Sequence, residues 1–77
     1  MSLESSKHWE RKRRFRPDVS DDMLLTVIGR GRKTRDVHWA GVLNSVGKVP
    51  STGRRLKVVY RMLGRKRYRI ITAYWLD

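Results

Sequence analysis

The sequence contains no cysteine, so neither a disulfide nor a thiolate metal site can hold the chain together. No apolar run approaches the roughly 20 residues that cross a bilayer. Residues 1–16 lack the apolar stretch of a signal peptide, and Glu4 and Glu10 do not suit a transit peptide. Two histidines and scattered carboxylates make no recognised metal-ligand spacing. There is no Walker-type phosphate loop, and the serines carry no histidine signature of a nucleophile. The expectation from these absences is a cytoplasmic domain without metal, cofactor or membrane partner. With 77 residues there is room for one domain, 1–77. Its modest core must hold it together, helped by a ligand or by a second subunit, as in a homodimer.

Acidic residues are also scarce. Seven Asp plus Glu stand against 19 Lys plus Arg, a net charge of +12. A small body with this charge repels itself, so a polyanion such as RNA or another nucleic acid is the natural partner. The imbalance is local. Residues 1–29 hold six basic and five acidic side chains, whereas residues 30–77 hold 13 and two. The alternative is a basic surface that only keeps the protein dissolved, but solubility does not need so large a bias of one sign.

Residues 6–15 contain no Gly, Pro or Val, and Ser5 and Ser6 offer capping oxygens, so this stretch reads as a helix ended by Pro17. A second helix is expected over residues 21–28. Ser20 caps it, Asp21 and Asp22 suit its positive end, and Met23, Leu24, Val27 and Ile28 form an apolar stripe. Gly29 and Gly31 stop it. After this point the pattern changes, and residues 56–63 and 68–76 are rich in Val, Ile, Tyr and Trp. Strands are expected over residues 34–39, 42–46, 56–63 and 68–76, with a loop at 47–53. The last two should pair antiparallel around the basic turn Gly64-Arg65-Lys66-Arg67. The fold class predicted is α+β, with two N-terminal helices packed on an antiparallel sheet of three to four strands.

Three stretches carry a family resemblance. They are His8, Lys12 and Arg16, spaced four apart; Arg16-Pro-Asp-Val-Ser20, leading into the second helix; and Arg55-Leu-Lys-Val-Val-Tyr60 with Ile71-Thr-Ala-Tyr74. Together they resemble the small uncharacterised domains grouped with BrnT-type and RelE/ParE-like toxins. Lys12 stands where that group more often has arginine, and residues 30–53 match less well. The resemblance implies a RelE/BrnT-like fold, messenger-RNA cleavage as one of the group's activities, and an acidic antitoxin as partner protein. A fold hosts many chemistries, so the reaction must be argued from the site.

On a helix, His8, Lys12 and Arg16 would share one stripe. Histidine is the member of that stripe suited to exchange a proton near neutral pH. RNA can be cut without metal when a base takes the 2′-hydroxyl proton and cations hold the phosphate charge. His8 and Arg16 are therefore candidate catalytic residues. Arg61, Arg67 and Tyr74 join them because the toxin-like group tends to build its site on a basic sheet face. The competing reading is a capped helix start with a solvated face. Lys12, Arg54, Arg55, Arg65, Lys66, Arg67 and Arg69 are candidates for phosphate contacts. Trp39, Tyr60, Tyr68, Tyr74 and Trp75 are interleaved with this charge; some suit base stacking, while at least three are expected in the core. The function expected is a toxin-like RNA-binding domain and metal-independent endoribonuclease. Its alternatives are a non-catalytic nucleic-acid-binding module and a ribonucleoprotein component.

The charge excess gives a test. Neutralising Arg65, Lys66 and Arg67 together should weaken RNA binding and flatten its salt dependence by about one unit of log–log slope per lost phosphate contact. Filter binding across a salt series measures this. No affinity for RNA or DNA at low salt would rule out the nucleic-acid reading.

Overall fold

The computed structural model describes residues 2–76. Two helices and five strands follow in the order β1 (Ser2–Ser5), α1 (Lys7–Arg13), α2 (Asp21–Arg30), β2 (Arg32–Arg35), β3 (Val42–Val49), β4 (Arg54–Gly64) and β5 (Arg67–Trp75). All five strands form one sheet, ordered β1-β5-β4-β3-β2. Among the described residues no helix is long and apolar enough to cross a membrane.

The architecture is α+β but departs from the sequence expectation. The helices do not open the chain, the strands number five, and the sheet is mixed. β1 precedes α1 and lies parallel to β5, with Ser2 opposite Arg67 and Ser5 opposite Ile70. Ser-Leu-Glu-Ser has no local strand signature; only β5 makes it a strand. The other neighbours are antiparallel.

α1 is shorter than the expected 6–15. Ser6 is its N-cap and accepts from the Trp9 backbone N–H at 3.1 Å. A seven-residue helix is marginal alone. This one is anchored by Trp9, which is fully buried. Arg13 turns back over the Trp9 ring at 5.9 Å and bonds Asp21 at 3.0 Å. α2 follows its expected cap, with the Ser20 hydroxyl accepting from Met23 N–H at 3.3 Å. It runs past Gly29 to Arg30, and Gly31 is the C-cap. A Cβ on Gly31 would fall 2.8 Å from the Val46 carbonyl oxygen. That close approach lets the helix end lie directly on β3.

Strand limits differ as well. The expected strand at 34–39 is instead Arg32–Arg35 followed by a loop, and β3 continues through Gly47 to Val49. Arg65 and Lys66 alone make the last turn, since Gly64 already pairs with Arg67.

The helices cover one face of the sheet. Leu24, Val27 and Ile28 of α2 and Trp9 of α1 pack with Val49, Leu56, Val58, Tyr60, Ile70 and Ala73. Tyr68 and Trp75 pack against this cluster. Ser45 is also buried against this face, and it shares a 2.9 Å hydrogen bond with the buried Tyr60 hydroxyl. Tyr60→Phe should strand the Ser45 hydroxyl and lower stability by about 1–3 kcal/mol. Adding Ser45→Ala should recover part of the loss, as measured by urea unfolding. Equal stability of Tyr60→Phe and the parent would contradict this packing.

Candidate active site

The other face of the sheet carries no helix. On it Lys57, Val59 and Arg61 of β4 stand opposite Tyr74, Thr72 and Arg69 of β5, and opposite Val46, Asn44 and Val42 of β3. The β4–β5 register slips between Val59–Thr72 and Tyr60–Ile70, leaving Ile71 as the extra residue of a bulge. Ile70 consequently enters the core at 1% exposure, while Ile71 is half-buried.

α1 is hung on this bulge. Ser6 N–H donates to the Ile70 carbonyl at 2.9 Å, and the Ser6 hydroxyl donates to the Ile71 carbonyl at 3.3 Å. With Trp9 turned into the core, the preceding residue, His8, lines the open face. The opposite wall comes from the β2–β3 loop. Asp36 there accepts from His38 N–H at 2.8 Å and Trp39 N–H at 3.1 Å through the same carboxylate oxygen. The Asp36 N–H donates to the Val42 carbonyl, and Val42 N–H donates to the Trp39 carbonyl. Gly41 closes the loop at φ +77°, a conformation that suits glycine.

Between these walls lies an open cleft of about 780 Å³, whose lining includes His8, His38, Asp36, Trp39, Lys57 and Tyr74. Its floor is Asn44, Val59, Ile71 and Thr72. The Lys57 ammonium sits 5.7 Å from the Tyr74 ring centre, a cation–π contact that steadies its stem. The His38 backbone N–H above all, then the Trp39 backbone N–H, the Asn44 side chain and the His38 charge, hold the Asp36 carboxyl below its usual range against an opposing desolvation. Asn44 Oδ1 is buried without a partner.

The sequence candidates divide. His8 and Tyr74 line the cleft. Arg61 lies on the same face beyond Val59, where its guanidinium donates to the Ala40 carbonyl at 3.4 Å. Arg16 does not share a helical stripe with His8 and Lys12, because α1 ends at Arg13. It lies in the connection to α2, outside the cleft lining. Arg67 is exposed at the start of β5, also outside it. Lys12, Arg65 and Lys66 are exposed. Arg69 is bonded to Glu4 of β1, its Nε donating at 2.9 Å. Arg54 stacks 4.5 Å from the Trp75 ring, and Arg55 lies beside it at the far end of β4 from the basic turn. The candidate cations therefore do not form one patch.

The sequence did not single out His38 or Asp36, and it offered Lys57 only as one of the cations near the start of β4 with Arg54 and Arg55. The signal for the first two was Asp36-Val-His38, since an aspartate commonly bonds its own backbone two residues on. Lys57 needed the register that sets it beside Tyr74. Compared with protein-family models, curated proteins and solved structures, the chain matches none.

The lowered Asp36 pKa carries a sign. Its contribution to loop order is fully present above the ordinary value of 3.8 and is lost as pH falls through the depressed value. Asp36→Ala should reproduce that loss at neutral pH. Hydrogen exchange should show faster His38 and Trp39 amides with β4 and β5 unchanged. Unaltered exchange at both amides would refute the role given to Asp36.

Proposed function

We propose that this chain cleaves RNA without a metal ion, using His8 and His38 as the proton-transfer pair. The observation that carries this reading is the entry of two imidazoles into one cleft from separate elements, α1 and the β2–β3 loop, beside Lys57. One neutral imidazole takes the proton from a ribose 2′-hydroxyl. The 2′-oxygen attacks the neighbouring phosphorus, and the 5′-oxygen leaves with a proton from the other imidazole, protonated at the start. Lys57 holds the negative charge that builds on the phosphate oxygens. Tyr74 orients Lys57 through the ring contact. The chain's charge of +12 gathers the polyanion, with Arg65, Lys66 and Arg67 as outlying phosphate contacts.

The resemblance to toxin-like domains extends the proposal to an acidic antitoxin protein. Its carboxylates would compete with RNA phosphates for the same cations. A non-catalytic nucleic-acid-binding module is the alternative, and kinetics separate the two.

In single-turnover cleavage with saturating protein, where differences in binding drop out, His8→Ala and His38→Ala should each slow the reaction about 10²- to 10⁴-fold. Lys57→Ala should cost on the order of 10²-fold. EDTA should have no effect. Intact RNA with the parent protein, or histidine variants as fast as the parent, would leave only the binding-module reading.

A further inference from the structure

Trp39 is the one of the three tryptophans that the fold does not use. Trp9 is fully buried, and Trp75 is half-buried with its indole N–H bonded to Asp18 at 2.8 Å. Trp39 is 59% exposed. Its backbone is nevertheless fixed at both ends, through the N–H to Asp36 and the carbonyl to Val42. A large aromatic ring held out on a tied loop is arranged to meet something flat.

Its position says more. A second open cleft of about 440 Å³, whose lining includes Arg35, Ala40, Leu43 and Met62, adjoins the histidine-lined one. Asp36 and Trp39 line both. Trp39, with Asp36, thus stands where the two recesses meet. Arg35 supplies a cation on one side and Lys57 on the other. Met62, 54% exposed, adds a soft apolar surface to the second recess.

We propose that the substrate is single-stranded RNA and that Trp39 inserts between two successive unpaired bases, one in each recess. This rests on the RNA-cleaving reading of the same cleft. Stacking on an aromatic face is open to any base. In a duplex, by contrast, the bases are paired inside an A-form helix and cannot enter either recess. The wedge also explains how a phosphate reaches the histidines. Parting two bases bends the backbone between them, and the cleft with His8 and His38 begins where Trp39 stands. Trp39 is therefore a positioning and selecting residue rather than a proton carrier.

The test uses the full chain and 2′-O-methyl oligoribonucleotides, whose blocked hydroxyl prevents cleavage. A single strand should quench tryptophan emission, and Trp39→Leu should abolish the quench. Trp39→Leu should weaken affinity about tenfold or more, with Trp39→Phe restoring most of it. A duplex of the same sequence should bind at least about tenfold more weakly and leave the emission unchanged. An unchanged circular dichroism melt confirms that the variants fold. Equal affinity of Trp39→Leu and the parent, or duplex binding as tight as single-strand binding, overturns the proposal. Failure to bind any strand overturns it together with the cleavage reading. The two otherwise fail separately. Quenching by the single strand with unmodified RNA left intact supports the wedge and removes the cleavage. Cleavage persisting in Trp39→Leu with unchanged affinity does the reverse.

Discussion

A single extra residue in β5 organises this molecule. At Ile71 the β4–β5 ladder slips by one, and a slip in a strand exchanges which side chains face which side. Before it, Tyr68 and Ile70 face the helices; after it, Ala73 and Trp75 do. Without the slip, Thr72 and Tyr74 would be driven into the core and Ala73 out of it. The bulge also leaves the Ile70 and Ile71 carbonyls on the edge of β5, at the last β1 pair and just past it. Ser6 takes both, and so begins α1 at the one place where Trp9 drops into the core while His8 lines the opposite face. Core, helix entry and candidate proton carrier thus depend on the same local irregularity.

The sheet that results is covered on one side only. Its apolar face is closed by α2 and Trp9, and its other face alternates charge with small apolar side chains. Val42 and Val59 are buried there outside the main core, beneath a face that also carries Lys57, Arg61 and Arg69. Two of the cations on the strands are committed elsewhere: Arg69 to Glu4 and Arg54 to the Trp75 ring. Exposed pairs of this kind contribute little to stability, so their effect is chiefly to orient side chains. Lys57 is what remains within the cleft, held by Tyr74 rather than by a carboxylate.

The helices were legible because their signals are local. Ser20 with Asp21, Asp22 and the Leu24–Val27–Ile28 stripe specifies α2 within ten residues. The β4–β5 hairpin was legible from its β-branched and aromatic runs. β1 was not, because four polar-leaning residues become a strand only beside β5. The choice between Ile70 and Ile71 was not legible either, since alternation through two adjacent isoleucines is ambiguous and the bulge decides it. The same limit applies to the site. His8 and Tyr74 could be singled out by residue type. Their company with His38 and Lys57 could not, since it joins four segments separated by 17 to 30 positions in the chain. Arg16 was misplaced by assuming that a spacing of four continues past the end of a short helix.

In the proposed reaction an imidazole pair in this cleft drives attack by a ribose hydroxyl on its own phosphate. The most direct measurement is the chemical identity of the ends formed when the protein cuts a synthetic RNA, read by mass spectrometry. Attack from within the nucleotide predicts a 2′,3′-cyclic phosphate on one fragment and a 5′-hydroxyl on the other. A 3′-hydroxyl paired with a 5′-phosphate would mean that water, not the neighbouring hydroxyl, attacked, and would rule out the proposed roles of His8 and His38.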